Sequence, residues 1–451
     1  MAKTSCAAGW RKRGEAPAVQ QAKQPYLNAR PFDPHRRATS DSMRNLIKDV
    51  MVQLDGYELF MKERKRKRSE SAQKIYELTV EAILCDLVYR ELEQPRGRVH
   101  LSQSNQVLRK ASRYKGKAMG KTLPFILKVM SSLEMGFIKL IPGKAKFSSS
   151  EGSPTIVGAG KQTIIAADGS LLRNIDTFGV SVTDIGRSED EETILLRGKK
   201  SKGDQPGPLI EYKDTEETDL LRQQLTEINC WLAQADLDHD HDDVKLTDRR
   251  LRRIFNNGDF QQGGRLYGGF WQRMKHSDRL TWLYIDGDTP VELDYGQTAL
   301  LILYGLEDAQ VPSGDLYDLS EFGIPATCRP GIKKVIQASI NSEKPLKRMP
   351  MGARTTLPKT FSLNQVMDAI HKKHPLISHR FNEGLGLKLM RAESDILIEV
   401  LLALKNQKIV ALPVHDAVLV NGNYEQEAKA VMVETFKRHT GLVPEVTASY
   451  A

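Results

Sequence analysis

A chain of 451 residues is long enough for two or three domains with a substantial core, and 40% hydrophobic with 27% charged residues is the balance of a soluble globular protein. No apolar run approaches bilayer-spanning length, the basic start of the chain has no signal-peptide core, and Cys6, Cys85, Cys230 and Cys328 show no paired spacing. These features exclude a membrane span, a disulfide framework and a cysteine zinc site, and they fit a reducing, cytoplasmic compartment; the net charge of +9 favours a polyanionic partner.

Residues 1–40, rich in Ala, Gln, Pro, Lys and Arg without hydrophobic periodicity, read as a mobile basic arm. Asp41 to Lys62 carries Leu46, Val50, Met51 and Leu54 on one helical face. The run Lys62 to Arg68 follows, in which Glu63 is the sole acid; Lys62, Arg64, Lys65 and Arg66 are candidate nucleic-acid phosphate contacts, against a plain solvated face. Ser71 to Glu93 is a long amphipathic helix, VHLS a short strand, LPFILKVMSSLEMG a later helix and FIKLIPG a strand. That order is the order of a winged-helix module over 41–147, whose later helix would face a groove; a plain helical subdomain is the alternative. Residues 148–210 read as a β-rich insertion, with ends at Ser148–Ser153 and Lys199–Gly207 that are Gly- and Ser-rich. A connecting helix and an acidic loop fill 211–245, and the DLDHDHDD run at Asp236–Asp243 reads as that solvated loop rather than a metal site.

Residues 246–451 hold four chemical elements in sequence. GGRLYGGFWQRM offers a Gly pair, then Arg265 and Tyr267. VELDYGQTALLILYG delivers Asp294 at the end of an apolar strand. RPGIKKVIQASIN places Arg329, Lys333, Gln337 and Asn341 four apart, on one helix face. KIVALPVHDAVLV puts His415 and Asp416 at the apex of two β-prone runs. Two carboxylates on β elements with a cationic helix between them in sequence suit phosphoryl transfer from a nucleoside triphosphate, with a cation pair between the acids.

These motifs resemble those of the family A DNA polymerases and the related single-subunit RNA polymerases of phage and mitochondrial type. Asp294-Tyr295-Gly296-Gln297 matches the family's palm motif, and Arg329 and Lys333 match the first two positions of its fingers helix. His415-Asp416 matches its hairpin, Gly264-Arg265-Leu266-Tyr267 its upstream Gly-Arg motif, and Glu393 to Leu397 the helix before the hairpin. The resemblance implies an α+β palm and fingers over 246–451. It implies a template-dependent nucleotidyltransferase with Asp294 and Asp416 as ligands of two Mg²⁺ ions, or of Mn²⁺ in their place. Lys333 would protonate pyrophosphate, and Arg329 would hold the triphosphate. Tyr295, Ala299, Gln337 and Asn341 would surround the nucleotide, while Arg265, Tyr267 and His415 would lie along a DNA primer–template or single-stranded template.

The chain departs from the family at four places. Ala299 stands where DNA polymerases carry a Glu that crowds the ribose 2′-hydroxyl, so relaxed choice between rNTPs and dNTPs is expected. Gln337 and Asn341 replace an aromatic and a Tyr, and Ala417 replaces a Glu. No acidic exonuclease motif precedes the palm motif, so proofreading is not expected. The alternatives are a single-subunit RNA polymerase, a non-catalytic nucleic-acid-binding protein on the same scaffold, and a replication or transcription regulator led by the winged-helix-like region.

Overall fold

The computed structural model describes residues 29–62, 66–143, 147–148, 155–156, 162–200, 206–241, 244 and 246–451. Residues 1–28 of the expected arm, Arg64 and Lys65, parts of the ends expected at 148–153 and 199–207, and Asp242–Asp243 of the acidic run lie outside these. The protein is α+β, and it divides into two compact units, Met1–Asp190 and Glu191–Ala451.

The first unit is organised by two helices. α1 (Asp41–Phe60) starts at Ser40, whose hydroxyl accepts the Met43 N–H, and buries Met43, Leu46, Val50 and Leu54 at helical spacing. α2 (Glu70–Glu93) is buried all round from Ala82 to Arg90, except as a stripe at its start, so it is the centre of this core. Strands β1 (Ala29–Pro31), β2 (Arg36–Ala38), β3 (Arg98–Leu101), β4 (Ile138–Ile141), β5 (Thr163–Ala167) and β6 (Ile185–Arg187) surround it. They form a sheet in the order β1-β3-β5-β4, antiparallel except for β1 on β3, and a separate β2–β6 pair.

Two local expectations are corrected, and a third is located. The span read as β-rich contains a helix, Gly169–Phe178, because Asp168 caps its first turn and Gly179, at φ 59°, ends it in the left-handed region. The helix expected to face a groove is Leu123–Met130; Leu123, Ile126, Leu127, Val129 and Met130 are buried, while Lys128 is exposed. The basic run is not uniformly free, since Arg68 is held by Glu58 and stacks 3.5 Å over the Tyr76 ring.

In the second unit, β7 (Ile194–Leu196) runs parallel to β8 (Arg252–Asn256), which pairs with β9 (Asp259–Tyr267). The larger sheet takes the order β11 (Ala411–Val414), β12 (Ala417–Asn421), β10 (Pro290–Tyr295) and β13 (Val446–Ser449), all antiparallel. Val291, Leu293, Val418 and Val420 on one face of it and Leu412 and Leu419 on the other are buried, so both faces are covered. Helices α3 (Thr298–Leu306), α4 (Arg329–Asn341), α5 (Gly386–Asn406) and α6 (Glu425–Thr440) complete the core. In α4 the apolar residues Ile332, Val335, Ile336 and Ile340 face inward, which leaves the Lys333–Gln337–Asn341 stripe on the other side. Gly331 lets this helix approach closely: a Cβ there would lie 2.7 Å from the Ala353 carbonyl oxygen.

Candidate active site

Asp294 is the one exposed residue of the otherwise buried strand β10, and its register partner across the sheet is Ala417. Asp416 precedes Ala417 in a two-residue turn, closed by the Val414–Ala417 pair, in which His415 takes φ 58°. Neighbouring strands lie about 4.8 Å apart, so the ladder brings together two acids that are remote in sequence. The turn is fixed from below: the Trp271 indole N–H and the Gln272 amide both donate to the Pro413 carbonyl, at 2.9 and 3.1 Å. Thr298 Oγ1, in the first turn of α3, donates to Asp416 Oδ2 at 3.2 Å and so orients that carboxylate.

A third carboxylate, Glu393 of α5, enters the same cleft. It is buried and accepts from Arg265 through Nε at 2.8 Å and Nη2 at 2.6 Å. Arg265 follows Gly263 and Gly264, at φ 86° and 84°, where the β8–β9 register shifts. The Gly264 carbonyl accepts from Arg253 Nε at 2.7 Å and from the Ser394 hydroxyl. Arg253 is fully buried and pairs with Asp395 at 2.6 Å. Helix α5 therefore supplies both the partner of Arg265 and the anchor of the bulge that presents it.

The cleft, of about 240 Å³, is lined by these acids and by Ala299, Tyr317, Lys333, Gln337, Asn341, Gly386 and Met390. Burial and the facing Asp416 push the Asp294 carboxyl up to about 6, against the pull of Lys333. Burial and Asp416 also push Glu393 up, to about 7, despite Arg265. Carboxylates that raise one another's pKa in this way make a site that favours a cation.

Glu393 gives a pH prediction. Its folded-state pKa of about 7 lies above the ordinary 4.5, so ionisation costs nothing below 4.5 and its full amount above 7. Glu393→Gln should raise the melting temperature at pH 8, by on the order of 2 kcal/mol in stability, and leave it unchanged at pH 4.5. Melting curves at the two pH values check this; an equal effect at both would mean that the carboxyl is not strained.

Sequence-predicted residues fall into three groups. Asp294, Asp416, Lys333, Gln337, Asn341, Ala299 and Arg265 all line the cleft. Asn341 turns its amide back to the Gln337 carbonyl, 2.7 Å away. Tyr295 lines the cleft as well; its ring packs on Phe436 and its hydroxyl donates to the Met432 carbonyl at 2.8 Å, which anchors the side chain in the core. Arg329 does not line the cleft; its guanidinium is taken by the Asp315 carboxylate, with Nη2–Oδ1 at 3.4 Å. Tyr267 lies at the exposed end of β9, outside the lining, and His415 is exposed at the turn, where partial desolvation and Arg265 push its pKa down. Lys62 and Arg66 belong to the other unit.

Among the lining residues without a role assigned from the sequence, Glu393 and Tyr317 bear most on the chemistry. Glu393 was visible only as a member of a helix motif. Tyr317 lies in a loop with no periodicity to mark it; its ring meets Lys333 at 5.8 Å and its hydroxyl bonds the Gln337 side chain. The loop is held by His374, fully buried, which bridges the Leu316 carbonyl and the Tyr304 hydroxyl at 2.9 Å each. Burial pushes His374 down to about 4, so it is neutral: Nε2–H donates to Leu316 and Nδ1 accepts from Tyr304.

Among the described residues, no group of three or more His, Cys, Asp or Glu is assembled as a metal cage. A two-carboxylate edge with an open cleft nevertheless fits magnesium, which binds through one or two carboxylates and fills its remaining positions with water and substrate phosphate.

No family model matches the chain, and no curated protein matches it. Among solved structures it is similar to the POL domain of Pol1 from M. smegmatis, in complex with DNA primer-template and dNTP. The identity is 14%, the match covers 52% of each chain, and the TM-score is 0.29. The chain therefore spans about half the length of that structure.

Proposed function

We infer that the Glu191–Ala451 unit is a template-dependent nucleotidyltransferase, extending a nucleic-acid strand from nucleoside triphosphates. The observation that carries this is the convergence of Asp294 and Asp416 on neighbouring strands, at the rim of a cleft that also holds Lys333. A pair of magnesium ions bound at the two acids would supply activation of the attacking hydroxyl and neutralisation of the triphosphate. Thr298 keeps Asp416 turned toward that position. As the primer 3′-oxygen bonds to the α-phosphorus, the bond to pyrophosphate breaks, and the Lys333 ammonium gives its proton to the leaving oxygen. Tyr317 and Gln337 form the surface against which the incoming base lies, in place of an aromatic on α4. Arg265, released from Glu393, contacts the growing duplex.

Primer extension on a labelled primer–template, with separate dNTP and rNTP pools and with Mg²⁺ or Mn²⁺, tests the reading. Ala299 in the first turn of α3 leaves the sugar edge of the cleft open. Ala299→Glu should shift the ratio of kcat/KM values toward dNTPs by about tenfold or more; an unchanged ratio would place sugar selection elsewhere. A second reading, a non-catalytic primer–template binder, is favoured by one observation: Asp315 occupies Arg329. Templated binding with no extension under either metal would decide for it.

A further inference from the structure

The positive charge of the protein is not evenly divided. Residues 1–190 contain 33 Lys and Arg against 20 Asp and Glu, so the remainder of the chain is net acidic. The most one-sided part is Gln94–Leu133, whose 40 residues include nine Lys and Arg and no Asp or Glu. All of it is described, and it follows the central helix α2 through β3 into a short helix, Asn105–Arg109, and then the helix Leu123–Met130.

The fold fixes this segment by buried anchors with cations between them. Leu108, Gly116, Ala118 and Leu123 are buried, while Arg109, Lys110, Lys117 and Lys121 are exposed. A Cβ on Gly116 would lie 2.8 Å from the Pro34 ring, so the loop is seated tightly on the chain between β1 and β2. Lys115 spends its ammonium on the carbonyls of Val107, Leu108 and Lys110, which pins the turn that carries Arg109 and Lys110. Lys117 meets Asp190 at 2.8 Å, an exposed pair that an anion can compete for.

We propose that the Met1–Asp190 unit is a winged-helix-like module that docks on double-stranded nucleic acid through phosphate contacts from Arg109, Lys110, Lys117 and Lys121. The strand pairing β3–β5–β4, reached through the order helix, strand, helix, helix, strand, strand, supplies the module's frame. The Leu123–Met130 helix turns five of its eight residues inward and the exposed Asn105–Arg109 helix is little more than one turn long, so the contacts are to phosphates and binding is independent of sequence. A duplex is favoured over a single strand: Tyr114 and Phe125, the aromatics of the segment, are not exposed, so no stacking platform accompanies the cations.

The test is fluorescence anisotropy of the full chain with two labelled duplexes of unrelated sequence, across about 50 to 200 mM salt. The triple variant Arg109→Gln/Lys110→Gln/Lys121→Gln should bind both duplexes at least about tenfold more weakly at the upper salt, with a slope of log K against log salt shallower by about 2–3. Asp294→Asn/Asp416→Asn should retain the wild-type slope, so loss of catalysis and loss of docking are read separately. In a second measurement, duplex should protect Lys110, Lys117 and Lys121 from amine-reactive labelling in the unaltered protein. An unchanged slope in the triple variant, absence of protection, a preference of more than tenfold for one duplex, or binding to anionic vesicles without binding to duplex would each overturn the proposal.

Discussion

Asn at either Asp294 or Asp416 is expected to lower single-turnover primer extension by at least about 10³-fold, since each carboxylate is asked to fix a cation at the reacting phosphate. The protein should not become less stable. The Asp294 carboxyl is raised to about 6 by burial and by Asp416, so the folded state holds its proton more tightly than the unfolded chain. Stability is then highest below the ordinary carboxylate range and declines as pH rises toward 6, beyond which the repulsion is complete. Asp294→Asn removes that repulsion, so its melting temperature at pH 8 should equal or exceed that of the unaltered protein. Extension that survives both substitutions would eliminate the two-acid assignment, while a collapse in melting temperature would mean that Asp294 is structural. Thr298→Val, which puts a methyl in place of the hydroxyl that reaches Asp416 and the Tyr295 carbonyl, provides a graded control for the orientation of that carboxylate.

The second large effect concerns stability. Asp395→Ala should destabilise the protein by about 3–5 kcal/mol, because it leaves the Arg253 guanidinium, fully buried, without its carboxylate. Burial already pushes Arg253 down to about 9, which shows how unfavourable its charge is in that setting. For a unit of this size, the loss corresponds to a melting temperature lower by roughly 8–15 °C. The consequence should reach the cleft. Arg253 Nε holds the Gly264 carbonyl, and Gly264 precedes Arg265, so a loosened bulge weakens primer–template binding as well. The double variant Arg253→Met/Asp395→Leu removes both charges and should recover part of the lost stability, Arg391, which also pairs with Asp395, being left to Glu217, as measured by denaturant unfolding. A single variant that melts normally would show that Arg253 finds other partners.

Much of the candidate site was legible because its residues are marked by local pattern. Asp294 and Asp416 each interrupt an apolar β run, and the Arg329–Lys333–Gln337–Asn341 spacing declares one face of a helix whatever lies opposite. Those patterns depend on backbone periodicity alone. Arg329 and Tyr295 show where such reasoning ends. Both occupy the right register, yet Arg329 is drawn aside by Asp315, fourteen positions earlier, and the Tyr295 hydroxyl finds the Met432 carbonyl, 137 positions later. No spacing rule anticipates a partner that arrives from a different element. The Gly169–Phe178 helix was missed for a more local reason. Leu171, Leu172, Ile175 and Phe178 do recur at helical spacing, but the β-prone runs on either side were read across them, and the decisive signals were Asp168 at one end and Gly179 at the other.

What the sequence by itself determined is the set of secondary elements that carry the acids and cations, together with the one-sided charge of the Gln94–Leu133 segment. Only the tertiary structure decided that Asp294 and Asp416 meet, that Glu393 and Tyr317 join them, and that Arg329 stays outside the cleft. The physical reason is that helix and strand periodicities act over a few residues, whereas burial, pairing register and charge repulsion are set by neighbours that only the folded chain brings into contact.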